Sequence, residues 1–310
     1  MMSLHHIKGI RRWGIAVLVV ASIAAPVDWE STPVTAKNSF TSGIEGPACD
    51  AAGNLYAVNF ARQGTLGKVT PDGTASLFVT LPDGGAANGL RFDSHGFLLA
   101  ADYVKHHVWR IEMPQGRFVE DLAADWKGAP LHQPNDLGIS SDDTIYFSDP
   151  DWSAKKGGGR IFMITKPPKR KTVLLDDGLD GPNGITVSAD DRYVYVGESI
   201  GRRILQYERR VDGTLANKKV WFDFDSGGVP KEGVPDGIRC DVKGNLYVTV
   251  VRIGKVLIIR PDGKLDSPIR TQGKNPANIT FCGPDGRTVY ITEKEFGRVE
   301  KARVEHPGTR

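Results

Sequence analysis

Beyond residue 40 the chain is a succession of short apolar runs, each a few residues long and broken by polar turns, and the same pair of runs recurs six times. The first run of each pair opens on a polar residue that lies five places ahead of an Asp, Ser or Gly turn. These segments are EGPACD from Glu45, NGLRFD from Asn88, NDLGIS from Asn135, NGITVS from Asn183, DGIRCD from Asp236 and NITFCG from Asn278. Each leads into a second apolar run: GNLYAV, GFLLAA, DTIYFS, RYVYVG, GNLYVT and RTVYIT. The equivalent positions Leu55, Leu98, Ile145, Val194, Leu246 and Val289 are separated by 43, 47, 49, 52 and 43 residues. Short strands repeating at that interval predict an all-β, six-bladed β-propeller with four-stranded antiparallel blades. No long helical period competes with this reading.

The fourth repeat predicts strands over Asn183–Ser188, Tyr193–Glu198, Arg203–Tyr207 and Val220–Phe224. Turns fall at Ala189-Asp190-Asp191, Gly201 and Asp212-Gly213, where Asp-Gly favours a tight reversal. The sixth repeat ends after Arg298–Arg303, before any outer strand. The stretch from Trp29 to Phe40 is the unassigned piece that can supply it, closing the ring and covering an edge that would otherwise pair with another chain.

Composition narrows the partners. Charged residues make up 25% of the chain and the net charge is +3, which leaves no basic footprint for nucleic acid. A small-molecule ligand fits better. The N-terminus has a different character: Lys8, Arg11 and Arg12 precede an apolar run from Gly14 to Ala25, short for a membrane span and shaped like an export signal. Val34-Thr35-Ala36 has the small-x-small form of a processing site, with Ala24 a second candidate. The expected organisation is a signal peptide or anchor over 1–36 and a single propeller domain over 37–310. The mature protein is expected to be periplasmic or secreted, with no stable membrane association. The three cysteines, Cys49, Cys240 and Cys282, fall at equivalent places in repeats one, five and six. Face-packed sheets lie about 10 Å apart, beyond the ~7 Å Cα limit of a disulfide, so no bridge is expected.

In a closed propeller the six inner strands begin at one mouth of a central channel. Glu45, Asn88, Asn135, Asn183, Asp236 and Asn278 therefore converge there. Carboxylate and amide oxygens without His or Cys suit a hard cation such as Ca²⁺, with other divalent ions admissible. Four residues past each strand marker stand Asn59, Asp102, Asp149, Glu198, Val250 and Glu293, which an antiparallel hairpin returns to the same mouth. These read as groups that orient the ligands. Trp152 reads as lining a pocket, and His106, His107 and His132 read as solvated loop histidines.

The segments Glu45-Gly46-Pro47, Pro134-Asn135-Asp136 with Tyr146-Phe147-Ser148-Asp149-Pro150, Gly181-Pro182-Asn183-Gly184 and Pro235-Asp236-Gly237 resemble the gluconolactonase/regucalcin (senescence marker protein) family of calcium-dependent six-bladed propellers. The resemblance spans Glu45 to Glu293 and extends to diisopropylfluorophosphatase and the paraoxonases. It implies a catalytic divalent cation, usually calcium, held by Glu45, Asn135, Asn183 and Asp236, with Asn88 and Asn278 nearby. Family members hydrolyse lactones, esters or organophosphates, and a lactone or ester is the expected substrate, with Asp236 and Asn135 as the catalytic pair. Asp236 reads as both ligand and general base, with a metal-bound hydroxide as the competing base. One departure concerns the substrate: sugar-lactone members often carry Arg two residues before the third-blade Asn, where this chain has Gln133. Two other readings remain open: a non-enzymatic binding platform of the NHL-repeat kind, and a strictosidine-synthase-like propeller without calcium chemistry.

Overall fold

The computed structural model describes residues 29–309, so the expected signal segment lies outside the described residues except for its last few positions. Six four-stranded antiparallel sheets form the blades, each with its first strand innermost. Blade one comprises Ala48–Cys49, Leu55–Val58, Thr65–Val69 and Ala75–Thr80; blade two comprises Ala87–Phe92, Leu98–Asp102, His107–Glu112 and Arg117–Ala123. Blade three runs through Leu137–Ile139, Ile145–Asp149, Gly159–Ile164 and Thr172–Leu179, and blade four through Pro182–Val187, Tyr193–Glu198, Arg203–Arg209 and Leu215–Asp223. Blade five has Val234–Cys240, Leu246–Val251, Lys255–Ile259 and Ile269–Arg270, and blade six has Pro276–Cys282, Thr288–Glu293 and Arg298–Arg303. A two-stranded ribbon, Asp125–Trp126 with Ala129–Pro130, precedes blade three and was not foreseen.

In blades one, two, four and five the polar residue that ends the inner segment makes the turn. Asp50 accepts from the Ala52 and Asn54 amides at 3.0 and 2.8 Å, Asp93 from His95 and Phe97 at 3.0 and 2.9 Å, and Asp241 from Lys243 and Asn245 at 2.8 and 2.9 Å. In blade four the Ser188 hydroxyl does the same for the Tyr193 amide at 2.9 Å. A side-chain acceptor two to five residues upstream of the amide it holds fixes each hairpin locally.

Between each pair of neighbouring blades lies a separate apolar cluster, so the core is distributed around the ring. The seam between blades six and one is the thinnest. Phe40, Ile44, Leu55, Ala57, Val69 and Val299 are its buried members, six against nine or more at every other seam among the described residues. It is also the seam where the last repeat meets the first.

The N-terminal stretch supplies blade six's outer strand, as its sequence implied. Thr32 pairs with Lys301 and Pro33 with Glu300, and Pro33 sits on an edge where its missing N–H costs no ladder bond. Ser31 donates to the buried Glu300 carboxylate at 2.5 Å. A cut after Ala36 would remove this strand; a cut after Ala24 would leave it in place.

A disulfide crosses the same seam and corrects the expectation of unpaired thiols. Cys49 and Cys282 are bonded, with their Cα atoms 5.8 Å apart. The ~10 Å spacing of face-packed sheets holds for the middle of a blade, whereas innermost strands of neighbouring blades converge toward the axis. Cys240 remains a free thiol in the blade four–five cluster, and burial pushes it up to about 12. Joining residues 233 apart restricts the unfolded chain. Cys282→Ser is expected to lose about 2–4 kcal/mol in urea denaturation, and thiol reduction should bring the parent protein to the same value.

Candidate functional site

The starts of the inner strands are buried. Glu45 is 2% accessible, Asn135 6%, Asn183 7% and Asp236 6%. Glycines following these residues allow that burial at two seams: an added methyl at Gly46, whose φ is +45°, would collide with the Asn88 carbonyl, and one at Gly184 with the Asp236 carbonyl. Each inner strand thus lies directly against the next, which draws the polar residues inward.

Glu45 and Asp236 share one partner. The Lys294 ammonium lies 2.8 Å from Glu45 Oε1 and 3.5 Å from Asp236 Oδ2. Glu45 Oε2 accepts from the Gly46 amide at 3.2 Å. The Asn183 amide hydrogen-bonds Asp236 and also donates to Ser199 Oγ at 3.1 Å. Asn183 Oδ1 and Asn135 Oδ1 are buried oxygens without a hydrogen-bond partner. Of these groups, Asp236 and Lys294 line an open depression of about 500 Å³, together with Ser42, Arg252 and Asn275.

The electrostatics are strongly coupled. Burial, then the negative charge of Glu45, raises the Asp236 carboxyl to about 7, against the pull of Lys294. Burial acting alone would lower the Lys294 ammonium, but Glu45 and then Asp236 outweigh it and lift its pKa above the usual lysine range.

Deeper in the channel lies an ionic cluster that the sequence reading missed. Asp136 is fully buried, with Arg239 Nη1 at 3.0 Å and Arg91 Nη2 at 3.6 Å. Burial pushes the Asp136 carboxyl up to about 6, against the attraction of Arg91. Arg91 and Arg239 stand three residues past Asn88 and Asp236, the same offset on two inner strands. That shared phase was the available signal. Asn278 is buried too: its Oδ1 accepts from the Ile279 amide at 2.8 Å, and its Nδ2 has no hydrogen-bond partner.

The residues at the ends of the second strands act on main chain. Asp149 accepts from the His132 and Gln133 amides at 3.0 and 2.8 Å and from Arg160. Glu198 accepts from the Asp180 amide at 2.6 Å, and Glu293 from Asn275 at 3.0 Å. Asp102 holds the Ala86 amide at 3.0 Å. Each pins the segment entering its own blade's inner strand, and so sets where the strand begins; Asn88 is half-buried at the start of its own.

Around the rim, Gln133 Oε1 accepts from the Trp152 amide at 3.2 Å, and the Trp152 ring is 40% exposed. His107 pairs with Asp121 at 2.7 Å and stacks on Trp109. His106 Nδ1 contacts the His132 carbonyl, and His132 Nδ1 is buried without a partner. None of the three contacts the Glu45–Asp236 pair.

The donor set fits a hard cation: two carboxylates and two amide oxygens that lack other partners. Among the described residues no three His, Cys, Asp or Glu side chains gather as a metal cluster.

A family model described as "SMP-30/Gluconolactonase/LRE-like region" matches residues 44–295, a span that includes every residue from Glu45 to Lys294. The chain is 25% identical over 301 residues to the gluconolactonase of Zymomonas mobilis, covering 84% of this chain and 79% of that protein. It is 24% identical over 292 residues to the diisopropyl-fluorophosphatase of Loligo vulgaris, covering 86% and 90%. Among solved structures, a gluconolactonase from Xanthomonas campestris matches with a TM-score of 0.73 at 22% identity, covering 88% of this chain and 89% of that one. Regucalcin from Agrobacterium tumefaciens, described as a calcium-binding protein, matches at 0.75 and 19%, covering 92% and 98%. At those identities the structural matches establish the fold.

Proposed function

Because this chain belongs to the SMP-30/gluconolactonase/LRE-like family, we propose that it is a hydrolase of lactones or esters that works with a divalent cation, calcium foremost, held by Glu45, Asn135, Asn183 and Asp236. The observation that carries the reading is the pair of buried amide oxygens without a hydrogen-bond partner, on Asn135 and Asn183, at strand starts equivalent to those that bring Glu45 and Asp236 to one ammonium, with Asp236 open to a depression. A bound cation would supply Lewis-acid polarisation of the substrate carbonyl.

The protein's own groups do the rest. Asp236 accepts the proton of the attacking water, with the carboxylate oxygen that the cation leaves free. Asn135 completes the oxygen set at the start of the third blade. Asp149, by gripping the His132 and Gln133 amides, holds the segment that leads into Asn135. At the rim the half-exposed Trp152 and the neighbouring Gln133 offer an apolar face and an amide to the body of a small substrate. Relatives named for gluconolactone and sulfogluconolactone favour a polyhydroxylated lactone, although Gln133 stands where sugar-lactone members often carry Arg.

Export of the mature chain belongs to the same proposal. The basic and apolar N-terminus supports it, as does the Cys49–Cys282 disulfide, because such bonds persist in oxidising compartments.

The test is hydrolysis of a panel of aldonolactones and aryl esters by the full chain, with calcium and with chelator. Chelation should abolish turnover, and Glu45→Gln should lower it at least about 100-fold in calcium. No hydrolysis of any panel member with calcium present would refute the proposal.

A further inference from the structure

Five residues past Leu55, Leu98, Ile145, Val194, Leu246 and Val289, the repeat places Phe60, Tyr103, Pro150, Ser199, Val251 and Lys294. Only Lys294 is charged, and its ammonium sits on both acidic members of the proposed ligand set, at 2.8 Å from Glu45 and 3.5 Å from Asp236. Two buried carboxylates this close repel one another unless a cation stands between them. Lys294 is that cation. The channel core is then balanced, with Glu45, Asp236 and Asp136 against Lys294, Arg91 and Arg239. A divalent ion added while the ammonium stayed would leave two excess positive charges in a buried region, which low-dielectric surroundings strongly oppose.

The ammonium does not satisfy the whole site. Asn135 Oδ1 and Asn183 Oδ1, on residues more than nine-tenths buried, keep no hydrogen-bond partner. Those oxygens suit an ion of higher coordination number. The Lys294 side chain is 31% accessible and borders the open depression, so it has somewhere to go.

We infer that Lys294 is a built-in competitor for the metal position: its ammonium occupies the Glu45–Asp236 pair until a divalent cation displaces it toward the mouth. The inference rests on the reading of Glu45, Asn135, Asn183 and Asp236 as the metal set. Affinity for the cation is accordingly lower than the oxygen donors alone would give. A resident lysine makes metal loading a replacement of one cation by another.

Calorimetric titration with calcium chloride tests this without any substrate. Lys294→Met should bind calcium at least about tenfold more tightly than the parent chain, since an opposing unit charge has been removed at contact distance. The variant should also melt below the parent in chelator, with Glu45 and Asp236 left facing each other, and should gain more from calcium in a thermal shift. Lys294→Gln, which keeps a donor without the charge, gives the same reading if the methionine variant does not fold. Calcium affinities within twofold of the parent in these variants would overturn the inference, as would an absence of calcium binding by parent and variants alike. Lactone hydrolysis by the parent is measured separately, so the competitor role can fail while the hydrolase reading stands.

Discussion

Asp236→Asn is expected to lower lactone turnover by about 10²–10⁴-fold, the usual contribution of a positioned general base, while the protein folds normally. The amide is nearly the same shape as the carboxylate and can still offer an oxygen to a cation, but it cannot take a proton from water. It also removes one of the two like charges that repel at this site, so thermal stability in chelator should hold or rise. Turnover and calcium affinity should be measured on the same preparation. A large fall in rate with calcium still bound assigns the proton to Asp236; near-full turnover with calcium bound removes Asp236 from the chemistry.

Asp136→Leu is expected to destabilise the fold by about 3–5 kcal/mol, the range for breaking a buried ion pair from one side. The substitution strands Arg91 and Arg239 in the channel with no carboxylate between them. The ion cluster is nonetheless a poor source of net stability, because burial outweighs the attraction of Arg91 and leaves the Asp136 carboxyl raised to about 6. Replacing all three residues, Arg91→Met and Arg239→Met together with Asp136→Leu, should therefore recover most of the loss. The sign of the pH dependence follows from the same shift. A carboxyl raised on folding contributes its stability while protonated, below about pH 4, and loses it as pH rises through about 6. That component of the slope should be absent from the triple variant. Urea denaturation across this range measures both effects; equal stability of Asp136→Leu and the parent at neutral pH would show that the arginines find water or another partner.

Much of this molecule is readable from local pattern, because a propeller repeats one hairpin device. The Asp or Ser that ends each inner segment caps its own turn, so Asp50, Asp93, Ser188 and Asp241 mark hairpins wherever they occur. The missing outer strand of blade six was equally legible, since an incomplete last repeat points to the N-terminal stretch that pairs at Thr32 and Pro33. The disulfide was not. Sheet spacing taken from the middle of blades misjudged Cys49 and Cys282, which meet where inner strands crowd toward the axis. Asp149 and Glu198 stand at the ends of their second strands as the antiparallel register requires, yet their oxygens grip backbone amides, a choice that rotamer and loop path make in three dimensions.

The order of hydrophobic and polar residues determined the number of blades, the strand starts and the row of oxygen-bearing side chains at one end of the channel, because antiparallel pairing and repeat phase are properties of neighbours along the chain. Tertiary structure alone decided which charges meet. Lys294 reaches Glu45 and Asp236, and Arg239 reaches Asp136 across 103 residues of sequence. Coulomb energy depends on separation in space and on burial, and both are settled only when the ring closes.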